Sequence, residues 1–147
     1  MKKNQKYSKF HTVSDSMGQI NVPINVSYRA QTQRAVENFP ISGIQFNKNF
    51  ISAVVIIKRS AAIVNCKLNL LSKNQRDAII KASDYILEND VSKEFPVDIF
   101  QTGSGTSTNM NVNEVISTLA NKYINKNETL HPNDHVNMGQ SSNDVIP

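Results

Sequence analysis

Cysteine, tryptophan and long apolar runs are scarce or missing from this chain, and each absence removes a class of protein. One cysteine in 147 residues, Cys66, cannot build a disulfide framework, so a reducing compartment is expected. Five glycines and five prolines are too few for a collagen-like or low-complexity chain. No run of about 18 apolar residues stands out as a membrane span, and the N-terminus lacks the apolar core of a secretory signal. Charge of one sign is not concentrated either. The net charge of +4 comes from scattered Lys and Arg, clustered only in "MKKNQKYSK". Without a compact basic stripe or an aromatic ladder, a nucleic-acid interface is not expected.

What remains is an ordinary globular composition, 39% apolar and 19% charged, at a length that allows one domain with a real core. Residues 1–16 read as a flexible polar lead-in. "GQINVP" (18–23) alternates Ile20 and Val22 with polar neighbours, the pattern of a short strand ended by Pro23. "AQTQRAVENFPISG" holds a short helix before Pro40, with Gly43 closing the turn. Val54, Ile57, Ala61, Val64, Leu68 and Leu71 recur at three- and four-residue spacing and predict a helix face, with Asn49 as its cap. Ser72 and Gln75 have capping-box spacing and open another helix, with Ala78, Ile79, Ala82 and Ile86 facing inward. A third helix is expected from near Asn109, apolar at Val112, Val115, Ile116, Leu119 and Ala120. "NKNETLHPND" reads as a loop, and a new helix is led in from about Val136.

Two stretches are dense in neutral hydrogen-bond donors. In "TGSGTSTNMN", Gly103 and Gly105 permit a tight turn while Ser104, Thr106, Ser107 and Thr108 put hydroxyls on it. That turn feeds a helix start, where unpaired N–H groups can hold a carboxylate or phosphate; from the spacing alone, a well-capped junction with no ligand is the favoured reading. It is neither a phosphate loop, lacking Gly-Lys-Ser/Thr, nor a dinucleotide fingerprint, since Thr108 takes the third Gly position. "GQSSNDV" repeats the design with Ser141, Ser142 and Asn143, which are also strong cap residues. Taken together the two turns allow a dicarboxylate pocket, one turn for each end. Fixed neutral dipoles suit a site where negative charge grows during reaction. His131 and His135 are four apart, but Pro132, Asn133 and Asp134 between them favour a turn over a metal-binding helix, and no metal site is expected.

Three blocks in order, "AQTQRAVENFPISG" (30–43), "FPVDIFQTGSGTSTNMNVNEV" (95–115) and "HPNDHVNMGQSSNDV" (131–145), resemble class II fumarate hydratase of the fumarase/aspartase superfamily. The resemblance runs from about Met17 to Pro147. Aspartase is the nearest competitor, but it typically carries Ala at the place of Ser104, Thr at that of Ser142 and Asn at that of His131. The resemblance implies a mainly α fold: a fumarase/aspartase-like N-terminal domain (17–135) with a short β element, a strand pair near the N-terminus, followed by the start of the central helical domain (136–147). It implies reversible hydration of fumarate to (S)-malate in the citric acid cycle, without metal or organic cofactor, by a homotetramer in the cytoplasm or, in a eukaryote, the mitochondrial matrix. Ser104, Gly105, Thr106, Ser141, Ser142 and Asn143 would bind the small dicarboxylate substrate, and His131, Asn133 and Asp134 would form a second anion site. The family's chains are about three times longer, and their proton-abstracting serine and partner histidine lie in the part not matched here. The expectation is therefore a fragment with no catalytic residue of its own, inactive alone, with apolar surface left exposed. The alternatives are a fragment of aspartase and a non-catalytic interaction remnant. Two departures stand out: Arg29 where the family commonly has Gly, and Glu128 where some members have a basic residue near the second site.

Overall fold

A computed structural model describes residues 9–146. Strand β1 (Phe10–Asp15) pairs antiparallel with β2 (Gly18–Pro23), in register from Phe10↔Pro23 to Asp15↔Gly18. The polar lead-in expected over 1–16 is thus corrected for residues 10–15, which are strand; residues 1–8 lie outside the described residues. The period-2 signal in β1 is weak because only Val13 of that strand is buried. The hairpin is held to helix α1 (Ala30–Asn38) by Arg34, whose Nε and Nη2 donate to Asp15 at 3.0 and 2.9 Å.

Helix α2 (Lys48–Lys67) is capped by Asn47, whose Oδ1 accepts from Phe50 N, and not by Asn49 as its spacing suggested. Its inner face is also rotated from the expected one. Ile51, Val54, Val55, Lys58, Ala62 and Asn65 are buried, whereas Ile57, Val64 and Leu68 are exposed. An apolar stripe and a buried lysine on one helix defeat a reading from hydropathy alone, because the inside also needs a polar contact at Lys58. By length and composition α2 is also apolar enough to cross a membrane, which corrects the expectation that no stretch is. Its packing against α3 and α4 accounts for that composition as well, since core helices share it. Exposed Ile56, Ile57, Val64, Leu68 and Leu70 leave an apolar surface on this side, as anticipated.

The capping box forms as expected. Ser72 Oγ accepts from Gln75 N, the Gln75 side chain accepts from Ser72 N, and α3 (Lys73–Glu88) buries Ala78, Ile79, Ala82 and Ile86. Helix α4 (Thr106–Ala120) begins three residues before Asn109 and is the centre of the molecule: from Thr108 to Ala120 it is buried except at Thr118. Such a helix shows little amphipathic contrast, because its polar residues Asn109, Asn111, Asn113 and Glu114 are inside as well. Glu114 accepts the N–H groups of Arg29, Gln31 and Thr32, and so caps α1, which has no side-chain cap of its own. The stretch expected to be loop contains one wide helical turn, Pro132–Val136, and the last helix, α5, is short (Ser142–Val145). The chain is mainly helical, as expected from its resemblance.

Candidate functional site

The first donor-rich turn is built from its glycines. Gly103 (φ +56°) and Gly105 (φ +75°) both lie in the left-handed region. A Cβ on Gly105 would come within 2.6 Å of Ile146 Cγ2, so the residue is glycine for space as well as for conformation. Gly105 cannot cap α4 with a side chain, and Gln101 substitutes. Its Oε1 accepts from Thr108 N at 2.7 Å while its Nε2 donates to Thr108 Oγ1 and Asp98 O. The helix that starts here is fifteen residues long, so its partial positive end faces the turn.

Upstream, Asp98 fixes the strand-like segment leading into the turn. Burial alone would push its carboxyl up. Hydrogen bonds from Phe100 N, Ser42 Oγ, Ser42 N and Gly43 N reverse this and hold it down at about 2.

The second turn is placed differently. Ser141 Oγ accepts from Asn143 N at 3.2 Å, and the backbone of 141–146 forms the α5 turn. The stretch before it is strung on amides: Asn137 Nδ2 donates to Gln140 O, Gln140 Nε2 to Val136 O and Met138 O, and Asn65 Nδ2 of α2 to Met138 O.

The two turns meet. Thr106 Oγ1 and Ser142 Oγ are 3.1 Å apart, and Ile146 packs onto Gly105. Residues 36 apart in sequence thereby share one surface. Ser104 and Asn143 are exposed beside that contact, and their side chains make no hydrogen bond to other described residues. They are available to a ligand. Neutral hydroxyls, an amide and a helix start form one wall suited to an anion. A polar cleft of about 270 Å³, lined in part by Gln31, Arg34, Thr102 and Ser107, opens beside the first turn. The more apolar crevice of about 80 Å³ around Phe46, Ile51, Ile86 and Phe95 is lined by residues of neither turn.

His131, Asn133 and Asp134 are exposed on the wide turn before this wall. His131 Nδ1 lies 3.3 Å from Asp134 N and 3.2 Å from Asp134 Oδ2. Neutral, the imidazole accepts the N–H; protonated, it donates to the carboxylate. His135 Nδ1 accepts from His131 N at 2.8 Å, so this histidine pair is locally tied. No group of three or more metal-ligating side chains occurs among the described residues. Glu128 does not stand free near this turn. Its carboxylate accepts from Ser72 Oγ and Asn74 Nδ2 at the start of α3, where an anion is favoured.

Sequence reasoning passed over Gln101, Glu114, Lys58 and Asn137. Only Lys58 left a signal, as a lone charge in "VVIIKRSAAIV" at helical spacing from Val54, Val55 and Ala62.

A lyase family model matches residues 18–147. The chain is 50% identical over 141 residues to the class II fumarate hydratase of Halobacterium salinarum, covering 94% of this chain and 30% of that protein. To the enzyme of the same name from Xylella fastidiosa strain 9a5c it is 55% identical over 133 residues, 90% of this chain and 28% of the relative. Among solved structures, it superposes on the class II fumarase of Schistosoma mansoni with a TM-score of 0.87 at 43% identity, covering 95% of this chain and 30% of that one. A fumarate lyase:delta crystallin structure from Brucella melitensis gives a TM-score of 0.86 at 40% identity, covering 95% and 34%. The chain thus spans about 30% of the length of the curated relatives it matches.

Proposed function

The chain belongs to the lyase family, and from that premise we propose that its two donor-rich turns are the carboxylate-gripping wall of a class II fumarate hydratase, an enzyme that adds water reversibly to fumarate to give (S)-malate. The observation that carries the reading is the 3.1 Å contact between Thr106 Oγ1 and Ser142 Oγ, which joins the turns while Ser104 and Asn143 remain available beside it. The identities to class II fumarate hydratases support the choice of substrate.

In the dehydration direction, a base takes a proton from the carbon beside one carboxylate of malate. The electron pair spreads onto that carboxylate, and hydroxide then leaves from the neighbouring carbon. The hardest moment is the extra negative charge on an existing carboxylate. Ser104, Thr106, Ser141, Ser142 and Asn143 act as preset neutral donors around that charge, each worth about 3–4 kcal/mol if well placed. The start of α4 adds its dipole from the same side. His131, Asn133 and Asp134 provide a shallower approach site, where a ligand carboxylate takes the place of the Asp134 carboxylate beside His131. Glu128, the acidic departure near this site, is held at the start of α3 by Ser72 and Asn74. The proton-accepting base and the remaining walls come from polypeptide outside these residues, in a homotetrameric assembly. A preparation of the 147 residues alone therefore has no hydratase activity.

The test is a chimera in which residues 17–147 replace the matching segment of the Schistosoma mansoni class II fumarase, with loss of fumarate absorbance followed in time. Hydration is expected, and Thr106→Val in the chimera should lower kcat about 10²–10³-fold. A folded chimera that leaves fumarate untouched, or one that releases ammonia from aspartate instead, overturns the reading.

A further inference from the structure

Lys58 is fully buried, one of the largest side chains in the chain to be so. Its Nζ donates to Asn137 Oδ1 at 2.8 Å, and the same oxygen accepts from Asn109 Nδ2 at 3.0 Å. Asn109 stands three residues after Thr106 on α4, with its own N–H on Gly105 O. Asn137 donates in turn to Gln140 O, the residue before Ser141. One ammonium is therefore bonded to the hub that ties the base of the first turn to the segment presenting the second. No carboxylate pairs with it among the described residues. Of the charged groups on the elements packed around it, Lys73, Lys81 and Glu88 of α3 are exposed to solvent and the others are engaged elsewhere. Glu114 of α4 caps α1, Asp84 of α3 holds Arg59, Asp77 of α3 holds Arg76, and Asp134 and His135 bond to His131. Burial of an ammonium with one neutral acceptor is costly, and here no carboxylate among the described residues compensates it.

We propose that Lys58 is a positioning residue for the dicarboxylate: it holds the two donor turns in register through Asn137 and sets an unpaired positive charge behind them that the bound diacid neutralises. The assignment rests on the reading of the turns as a dicarboxylate site. It explains why a lysine occupies an inner position of α2 that its neighbours Val54, Val55 and Ala62 fill with apolar side chains. It also accounts for the buried acceptor Asn109 Oδ1, which is without a partner among the described residues while its amide's donor is committed to the hub. By linkage, a diacid that stabilises the charged lysine is bound more tightly while that charge is present. Burial lowers the ammonium's proton affinity to about 8, so its charge is lost within a usable pH range.

The experiment uses the active chimera, its KM for fumarate being followed from about pH 7 to 9.5, a range that brackets the proton affinity of about 8 given to Lys58 by burial. Lys58→Gln retains a donor toward Asn137 but removes the charge. It should raise KM about tenfold at pH 7 with kcat changed less than about threefold. The parent's KM should climb as pH passes about 8, and this rise should be absent from Lys58→Gln. Lys58→Arg should keep the low KM and carry it to higher pH, since a guanidinium stays protonated. A KM for Lys58→Gln within about twofold of the parent, or the same alkaline rise in both, overturns the assignment. If Lys58→Gln does not fold, the parent decides alone: a flat KM through that range sinks the proposal. An inactive parent chimera would instead mean that the fumarase reading itself has failed.

Discussion

Asp98 and Lys58 are both buried charges, yet their surroundings differ. The carboxylate is ringed by donors from Ser42, Gly43 and Phe100. The ammonium has one acceptor, Asn137 Oδ1, shared with Asn109. Hydrogen bonding overcomes burial at Asp98 and favours its charged form; at Lys58 burial wins and disfavours it. A charge solvated by the fold holds the fold together. A charge the fold leaves under-solvated strains it, and fits a site that awaits an anion.

The sharpest way to break this contrast is Asp98→Ala, which takes the shared carboxylate from the donors of residues 42, 43 and 100 at once. It should give the largest fall in urea midpoint of any change named here, and a midpoint equal to wild type would show that the ring of donors is not needed. Lys58→Met should move the other way. An apolar side chain of similar length removes an under-solvated charge and should stabilise by about 1–3 kcal/mol near pH 7. Destabilisation of that size by urea titration would mean that the lysine supports the fold and is not strained by it.

The same two groups predict opposite pH behaviour. Asp98 is held at about 2, below its usual value, so its contribution is complete above about pH 4 and is lost as pH falls toward 2. Lys58 is held at about 8, below its usual value of 10.5. Between those limits the unfolded chain binds more protons, so stability should rise with pH there and level off above. Urea midpoints from acid to alkaline pH, with and without Lys58→Met, would read out both limbs; an alkaline rise that persists in the variant assigns it to another group. The smallest change, Ser72→Ala, touches neither charge. It should cost about 1 kcal/mol at the start of α3 with no pH dependence near 8, which makes it the control for the others.

Much of the frame was legible in the chain. "GQINVP" and the Ser72/Gln75 box became β2 and α3 as written, because each depends on contacts within a few residues. The two donor turns were legible as well, down to Gly105, although only the fold shows that Ile146 closes on it. The inner face of α2 was misread, since hydropathy ranks Val64 and Leu68 above Lys58 and cannot know which side meets Asn137. A strand pair near the N-terminus was expected, but its first strand was not placed at residues 10–15, because pairing at an exposed edge leaves little apolar alternation.

What the sequence alone determined is therefore local: where helices start, where glycine must bend the chain, and which stretches carry neutral donors. These follow from backbone sterics and from neighbours three or four residues away. Tertiary structure decided that Thr106 touches Ser142, that Glu114 accepts from Thr32, 82 residues before it, and that Lys58 reaches Asn137. Those contacts depend on which surfaces exclude water together, and that is settled only when the whole chain packs.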